Sequence, residues 1–368
     1  MLAYPVAGGG VPDDFATILV HYISVFNLAA EPARVTRVRI DAVSNGTVAN
    51  STFVGSEALN SAAALWSRRQ ASGRLQTHEP LFQIAKLIDG RRLAPTSDLE
   101  RGMGLIVART PMLVSAHASE VVITADGLGA DGRAVAGELR IPIVHHRSAN
   151  SYRFPLCGRW LIGGGPNLNG HHRWGALQEF AIDVERVGAD TRTHSGDGSR
   201  VDMFYAFGAP VVAAADGKVV AAEGSLGDAE QLRRAGETEE QFENRLARLQ
   251  ETLIASGFRN LVGNHVVLRH SNGEYSVYAH LKSGSLRVRE GDSVARGALL
   301  AEVGNSGNST EPHLHFSIQD GPDPIASRSL PYRFEGLRFW DEADGGTGVL
   351  NSGQIVEAEG CDAAGAAR

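Results

Sequence analysis

"GNSGNSTEPHLHFSIQD", residues 304–320, decides how the second half of this chain is read. Glycine, asparagine and serine fill its opening, a composition that makes turns because these residues accept positive φ or bond their own backbone. The turn runs into "HLHFSIQ", where polar and apolar residues alternate. Side chains two apart in a strand share a face. His313 and His315 therefore project together, while Leu314 and Phe316 point the other way, into a core. Two imidazoles on one face after a glycine-rich turn suit metal binding or acid–base work. A solvated strand face with two histidines on it would read the same way.

Three upstream stretches supply partners. In "EYSVYAHLKSGSL", alternation places Ser276, Tyr278 and His280 on one face, with His280 where the strand ends. In "QEFAIDV", Asp183 follows Phe180, Ala181 and Ile182, and a carboxylate among apolar neighbours is costly unless it is paired or coordinates a metal. Just before it, "GHHRWG" carries the adjacent pair His171 and His172. Asn305, Ser306, Asn308 and Ser309, in the turn before "HLH", offer polar groups to a substrate backbone or serve the turn itself.

Composition sets the frame. Hydrophobic content of 43% and charged content of 21% describe an ordinary globular protein. The 43 glycines and 14 prolines favour short strands joined by many turns. A net charge of −7, with no basic run, argues against a nucleic-acid partner. No apolar run is long enough for a transmembrane segment. "MLAYPVAGGGVPDD" lacks the charged and apolar regions of a secretory signal, so no signal peptide is visible. The two cysteines, Cys157 and Cys361, define no disulfide framework, zinc knuckle or redox centre, which leaves any metal to histidine and carboxylate.

The patterning predicts a mostly β chain in two domains. Residues 1–150 read as a β-sandwich-like N-terminal domain: "TILVHYISVFNL", "ARVTRVRIDAV" and "SEVVITADGLGADGRAVAGELRIPIV" are strand patterns, and "SEALNSAAALWSRRQ" interrupts them as a helix. Residues 151–336 read as short strands again, broken by a helical insertion at about 226–257. There Phe242, Leu246, Leu249 and Leu253 recur at helical spacing, with Thr238 and Gln241 as a capping box and Gly257 as a C-terminal stop. The leucine stripe packs on the sheet edge in the plain reading and covers a groove in the sharper one. Residues 337–368 are expected to be a loose tail.

Taken in order, the histidine-rich loop, "FAIDV", "GAPVVAAADGKVV" and "YAHLKSGSLRVREGDSVARGALLAEVGNSGNSTEPHLHF" resemble the lysostaphin-like (LytM-type) zinc metalloendopeptidases that cut peptidoglycan cross-bridge peptides. The resemblance spans about residues 160 to 335 and implies an antiparallel β-sheet peptidase domain. It implies one Zn2+ per chain, held by His315, Asp183 and an upstream histidine. It makes His313 and His280 the catalytic residues, His313 as base and His280 as oxyanion stabiliser, with the two roles exchangeable. Three protein ligands leave a zinc position open for water, as catalytic sites require. Tyr278, Asn305 and Asn308 are the candidate substrate-binding residues.

The first ligand pair departs from the family's compact His-x-x-x-Asp. His172 with Asp183 matches a longer-spaced variant, "H…QryAiDf" followed by an acidic glycine-containing loop, and sits on a strand that would preorganise the carboxylate. The competing pairs are His194 with Asp202, and His171 in place of His172. The implied function is a zinc-dependent endopeptidase acting on bacterial peptidoglycan peptides outside the cytoplasm. The alternative is a non-catalytic LytM-like module that binds cell wall or regulates a hydrolase. The sequence leaves the cut bond and the oligomeric state open.

Overall fold

The computed structural model describes the chain except residues 2, 6–14, 74, 76–86, 169, 229–231, 233, 235, 341–349 and 359–368. Contacts divide it into two units, Met1–His146 and Arg147–Arg368.

In the first unit the stretch "FATILV" forms β1 (Phe15–Val20) and "ISVF" forms β2 (Ile23–Phe26). The alternating run "ARVTRVRIDAVS" is β3 (Ala33–Ser44), hairpinned to β4 (Thr47–Gly55). The expected helix is α1 (Ser56–Ala71), which buries Leu59, Ala63 and Trp66, three and four residues apart on one side. After it come β5 (Met103–Val107), β6 (Thr110–Ser115), β7 (Ala118–Gly129) and β8 (Ala134–Pro142). The sheet β8-β7-β3-β4 and the pairs β1–β6 and β2–β5 are antiparallel. They share one core, in which Val38, Ile40, Val121 and Ile123 meet Ile18, Val114, Leu105 and Leu59. The β-rich first half predicted from alternation is what forms.

The second unit is built on one antiparallel sheet. Its strands are β9 (Gly158–Gly164), β10 (Ile182–Glu185), β11 (Gly217–Glu223), β12 (Asn264–Arg269), β13 (Tyr275–Leu281), β14 (Ser293–Val294), β15 (Leu314–Gln319), β16 (Ser329–Leu330), β17 (Leu337–Phe339) and β18 (Ile355–Ala358). They lie in the order β14-β11-β12-β13-β15-β10-β9-β18-β17, with β16 beside β15. Register does the placing. Tyr278 pairs with Phe316 and Phe316 with Ile182, a row on the core face. One residue along, Ala279, His315, Asp183 and Gly164 form the neighbouring row across four strands. An aspartate and a histidine about 130 residues apart in sequence thus become cross-strand neighbours.

Two expectations change. Residues 337–368 are not simply a loose tail: β17 and β18 extend the sheet, and Val356 is fully buried against β9. A short strand with one buried residue is drowned in the sequence by the surrounding Gly, Ala and Asp. Residues 341–349 and 359–368 of that segment lie outside the described residues. The second change concerns cysteine. Cys157 is disulfide-bonded, and the chain's other cysteine, Cys361, lies outside the described residues. Register explains how sequence distance misled: Gly158 pairs with Ala358, so β18 returns the chain to the level of Cys157.

The insertion carries α2 (Glu239–Ala255), whose N-terminus is closed by reciprocal bonds between Thr238 and Gln241, the expected capping box. Ser256 is the C-cap, and Gly257 follows with φ +121°. Its leucine stripe is not sunk in a sheet edge. No residue of α2 is buried, and Phe242, Leu246, Leu249 and Leu253 are only half-covered.

Candidate metal centre

Asp183 is the hub. His172 Nε2 lies 3.0 Å from its Oδ2 and His171 Nε2 3.5 Å from the same oxygen. On Oδ1, His315 Nδ1 lies at 2.9 Å and His313 Nε2 at 3.4 Å. His280 completes the group, its ring centroid 4.8 Å from that of His313 and 5.8 Å from that of His315. The structure therefore brings together His172, Asp183, His313, His315 and His280. His171 joins them, and its side chain is 65% exposed where that of His172 is 3% exposed.

Three rings are locked by backbone carbonyls. His172 Nδ1 donates to the Ala181 carbonyl (3.1 Å), His313 Nδ1 to the Glu311 carbonyl (2.8 Å) and His280 Nδ1 to the Ser306 carbonyl (2.8 Å). A carbonyl only accepts, so each Nδ1 holds the proton and each Nε2 is the free nitrogen of the neutral ring. For His172 and His313 that nitrogen faces an Asp183 oxygen, lone pair against lone pair. Such an arrangement calls for a cation, a proton or a metal, between them. Two donors each about 2 Å from a tetrahedral zinc stand a little over 3 Å apart, roughly the spacing seen here. The residues present fit a divalent metal with nitrogen and oxygen ligands. The donor atoms of His171, His172 and Asp183 all lie within 4.8 Å of one another, and His315 meets the carboxylate from the opposite oxygen.

Electrostatics of the metal-free chain follow from this crowding. Burial alone would push the Asp183 carboxyl up, but the charges of His172 and His313 and hydrogen bonds from His171 and His172 hold it well below the usual range. Burial likewise opposes charge on His313, yet Asp183, the Glu311 carbonyl and Glu185 together lift it to about 9. His280 goes the other way: burial, then the charges of His313 and His315, hold it well below its ordinary value. Burial also lowers His315, against its bond to Asp183. Glu185, two residues past Asp183 on the same strand face, is pushed up to about 7 by burial and by the neighbouring Glu311.

Several expectations are revised. Tyr278 does not line a groove. It is fully buried, its ring packs 5.2 Å from Phe316, and its hydroxyl accepts from the Ala214 amide (2.7 Å) and the Ser276 hydroxyl (3.1 Å). Alternation put His280 on the Tyr278 face. His280 instead has φ +60°, a left-handed conformation that turns its ring to the histidine face. Asn305 is fully buried, with its Oδ1 accepting from the Ser309 hydroxyl (2.7 Å), so it braces the turn. Asn308 is exposed in the same turn. The competing pair does not assemble: the Asp202 carboxylate is taken by the Arg200 guanidinium, and His194 packs on Phe204. His265 and His270 are structural, bonding the carbonyls of Gly263 and Asp216.

Two contributors carry no motif. A Cβ on Gly164 would stand 2.7 Å from Asp183 Oδ2 and 2.9 Å from His172 Cε1, so only glycine leaves room for that pair. Arg173, fully buried, lies over the Phe180 ring at 4.8 Å and 3.7 Å from Glu179, pinning the turn that carries both upstream histidines. The glycine was readable as "IGGG" beside a strand, but nothing in that string says which glycine faces the carboxylate.

Parts of the chain are similar to known proteins. Residues 246–327 match the model of peptidase family M23, in agreement with the lysostaphin-like resemblance. The match includes His280, His313 and His315 and begins after His172 and Asp183. The DD-carboxypeptidase/endopeptidase Mpg of Neisseria meningitidis serogroup B is 41% identical over 71 residues, 19% of this chain and 16% of that protein. The peptidoglycan DD-endopeptidase ShyA of Vibrio cholerae is 39% identical over 56 residues, 15% of this chain and 13% of that protein. The chain thus spans about a sixth of the length of the relatives it matches. Among solved structures, the catalytic domain of lysostaphin from Staphylococcus simulans aligns with 48% of this chain and 88% of its own, at 19% identity and a TM-score of 0.25. The M23 metalloprotease pseudoalterin aligns with 56% of this chain and 86% of its own, at 17% identity and a TM-score of 0.29.

Proposed function

From the M23 match of residues 246–327, we propose that this chain is a zinc-dependent endopeptidase acting on peptide cross-links of bacterial peptidoglycan. The observation that carries the proposal is the convergence of four imidazoles on the Asp183 carboxylate, with His280 against two of them. His172, Asp183 and His315 are the proposed ligands, one zinc per chain. His171 is the less suited histidine: it is exposed, and among the described residues no backbone carbonyl orients its ring as that of Ala181 orients His172. His315 is held by the β10–β15 register.

When bound, the metal supplies Lewis-acid polarisation of the scissile carbonyl and an acidified water. The protein supplies the proton chemistry. His313 and His280 share one tautomer, so each works through Nε2: neutral, it accepts a proton, and charged, it donates to a developing oxyanion or a leaving amine. Asn308, exposed in the turn that precedes β15, is suited to meet substrate backbone.

The relative ShyA is a peptidoglycan endopeptidase, which supports a substrate outside the cytoplasm for this chain. The Cys157 disulfide supports that location too, since such bonds persist in oxidising compartments. The test is metal analysis paired with hydrolysis of purified cell wall, on wild type and His315→Ala. About one zinc per wild-type chain, lost with activity in the variant, supports the proposal. Zinc without hydrolysis supports the non-catalytic wall-binding module, and absence of zinc refutes the ligand set.

A further inference from the structure

His280 works from a strained pose. A non-glycine residue at φ +60° persists only where its surroundings over-determine it. Its amide donates to the Val262 carbonyl at 3.2 Å, and its carbonyl accepts the Gly304 amide at 3.1 Å. Its ring Nδ1 donates to the Ser306 carbonyl at 2.8 Å. The pose of the ring therefore depends on where residues 304–306 sit against residues 280–283.

The side chain that ties these two segments together comes from the insertion. Half-buried Asp228 accepts the Asn305 amide on Oδ1 at 2.9 Å and the Ser283 amide on Oδ2 at 3.1 Å, so each carboxylate oxygen holds one segment. Bonds from an amide to an ionised carboxylate are stronger than neutral ones. Gly304 admits the carboxylate: a Cβ there would stand 2.6 Å from Asp228 Oδ1 and 2.3 Å from Lys282 Cα.

Two residues earlier the insertion is fixed by a second clasp. Fully buried Asn264 accepts the Leu226 amide at 2.9 Å and donates to the Leu226 carbonyl at 2.7 Å. Its Nδ2 also donates to the Leu281 carbonyl at 3.0 Å, which accepts the Ser306 hydroxyl at 2.8 Å. The base of the insertion is thus bonded into the same two segments that set the His280 ring.

We propose that Asp228 is a positioning residue for His280: its carboxylate holds the Ser306 carbonyl against the ring and so keeps Nε2 as the free nitrogen. The role of His280 rests on the peptidase reading; the role of Asp228 goes beyond it and makes the base of the insertion part of the working machinery. Asp228 acts through backbone alone and meets neither metal nor substrate.

The experiment uses the zinc-loaded full chain with 15N-labelled histidine rings. It reads the His280 ring nitrogens, assigned by their loss in His280→Ala, together with zinc content and with kcat and KM on a soluble synthetic cross-link peptide. Wild type is expected to show His280 as one neutral tautomer, protonated at Nδ1. Asp228→Ala should mix the tautomers of His280 and of no other ring. It should lower kcat about 100-fold, as a misplacement on the order of 1 Å does, with KM and zinc content kept within about twofold. Asp228→Asn keeps one acceptor and turns an N–H toward the other amide, so it should lower kcat about tenfold, the worth of one hydrogen bond, and it carries the test if the alanine variant does not fold. Glu237→Gln breaks the ion pair with Arg245 elsewhere in the insertion and should leave every readout at the wild-type value. An unchanged His280 spectrum or an unchanged kcat in the Asp228 variants, or an equal loss in Glu237→Gln, overturns the assignment. If wild type cuts no peptide, the peptidase reading fails by itself. The ring spectrum then decides: a tautomer change confined to His280 sustains the clasp, and no change refutes it.

Discussion

Gly164→Ala tests the centre without touching a ligand. Gly164 sits opposite Asp183 in the β9–β10 register. Its φ lies outside the left-handed region, so alanine fits the backbone and any effect comes from space alone. The added Cβ would stand 2.7 Å from Asp183 Oδ2 and 2.9 Å from His172 Cε1. Restoring an ordinary separation of roughly 3.5 Å moves the carboxylate or the imidazole by about 0.8 Å. Overpacking of this kind costs about 1–3 kcal/mol. Displacing a ligand's support typically weakens metal affinity about 10–100-fold. The assay is zinc affinity by competition with a chelator of known strength, beside a thermal melt of the metal-free protein. Gly137→Ala, with nothing within 4 Å of its new Cβ, is the control and should leave both unchanged. Zinc affinity within twofold of wild type in Gly164→Ala would refute the placement of the metal between His172 and Asp183.

Three further outcomes follow from the geometry. His280→Ala should retain most of the zinc that His315→Ala loses and still be inactive, as metal analysis and wall hydrolysis will show; an active His280→Ala removes that residue from the chemistry. Burial holds the His270 ring below its ordinary value despite its bond to the Asp216 carbonyl. The unfolded chain therefore binds the proton first as pH falls below about 6.5, and stability drops by up to about 1.4 kcal/mol per pH unit until the folded ring titrates. His270→Gln should flatten the urea-unfolding free energy between pH 7 and the folded value, and an unchanged slope would contradict the assignment. Cys157→Ser should destabilise the protein by about 2–5 kcal/mol, as losing a native disulfide does, and free thiols in the untreated protein would speak against the bond.

Much of the centre was legible because strand alternation is a local rule. "HLHF" split into two histidines facing outward and two apolar residues facing the core, and an isolated carboxylate in "FAIDV" implied a partner. What local rules miss is register and single-residue backbone inversions. Nothing in the sequence says that Asp183 falls opposite His315 and not one residue to either side. His280 shows the second failure: one non-glycine residue at φ +60° reversed its face, leaving Tyr278 in the core where alternation had both together. The returning strand β18 was hidden for a third reason, since a strand that completes an edge needs little apolar content of its own.

The glycine-rich turn before "HLH" does more than connect strands. The rings of His280 and His313 are oriented by carbonyls of Ser306 and Glu311, both within "GNSGNSTEP". Backbone acceptors fix the tautomer whatever the charge state, so Nε2 stays the working nitrogen throughout a reaction cycle. The Ser306 carbonyl can reach His280 because Gly263 and Gly307 pack back to back, at φ +68° and +76°. A Cβ at Gly263 would strike the Ser306 carbonyl itself, and one at Gly307 would stand 2.5 Å from the Gly263 nitrogen. Side-chain-free contact between two turns thus sets where a carbonyl points, the carbonyl sets which nitrogen of His280 is free, and that nitrogen is the one the proposed chemistry needs.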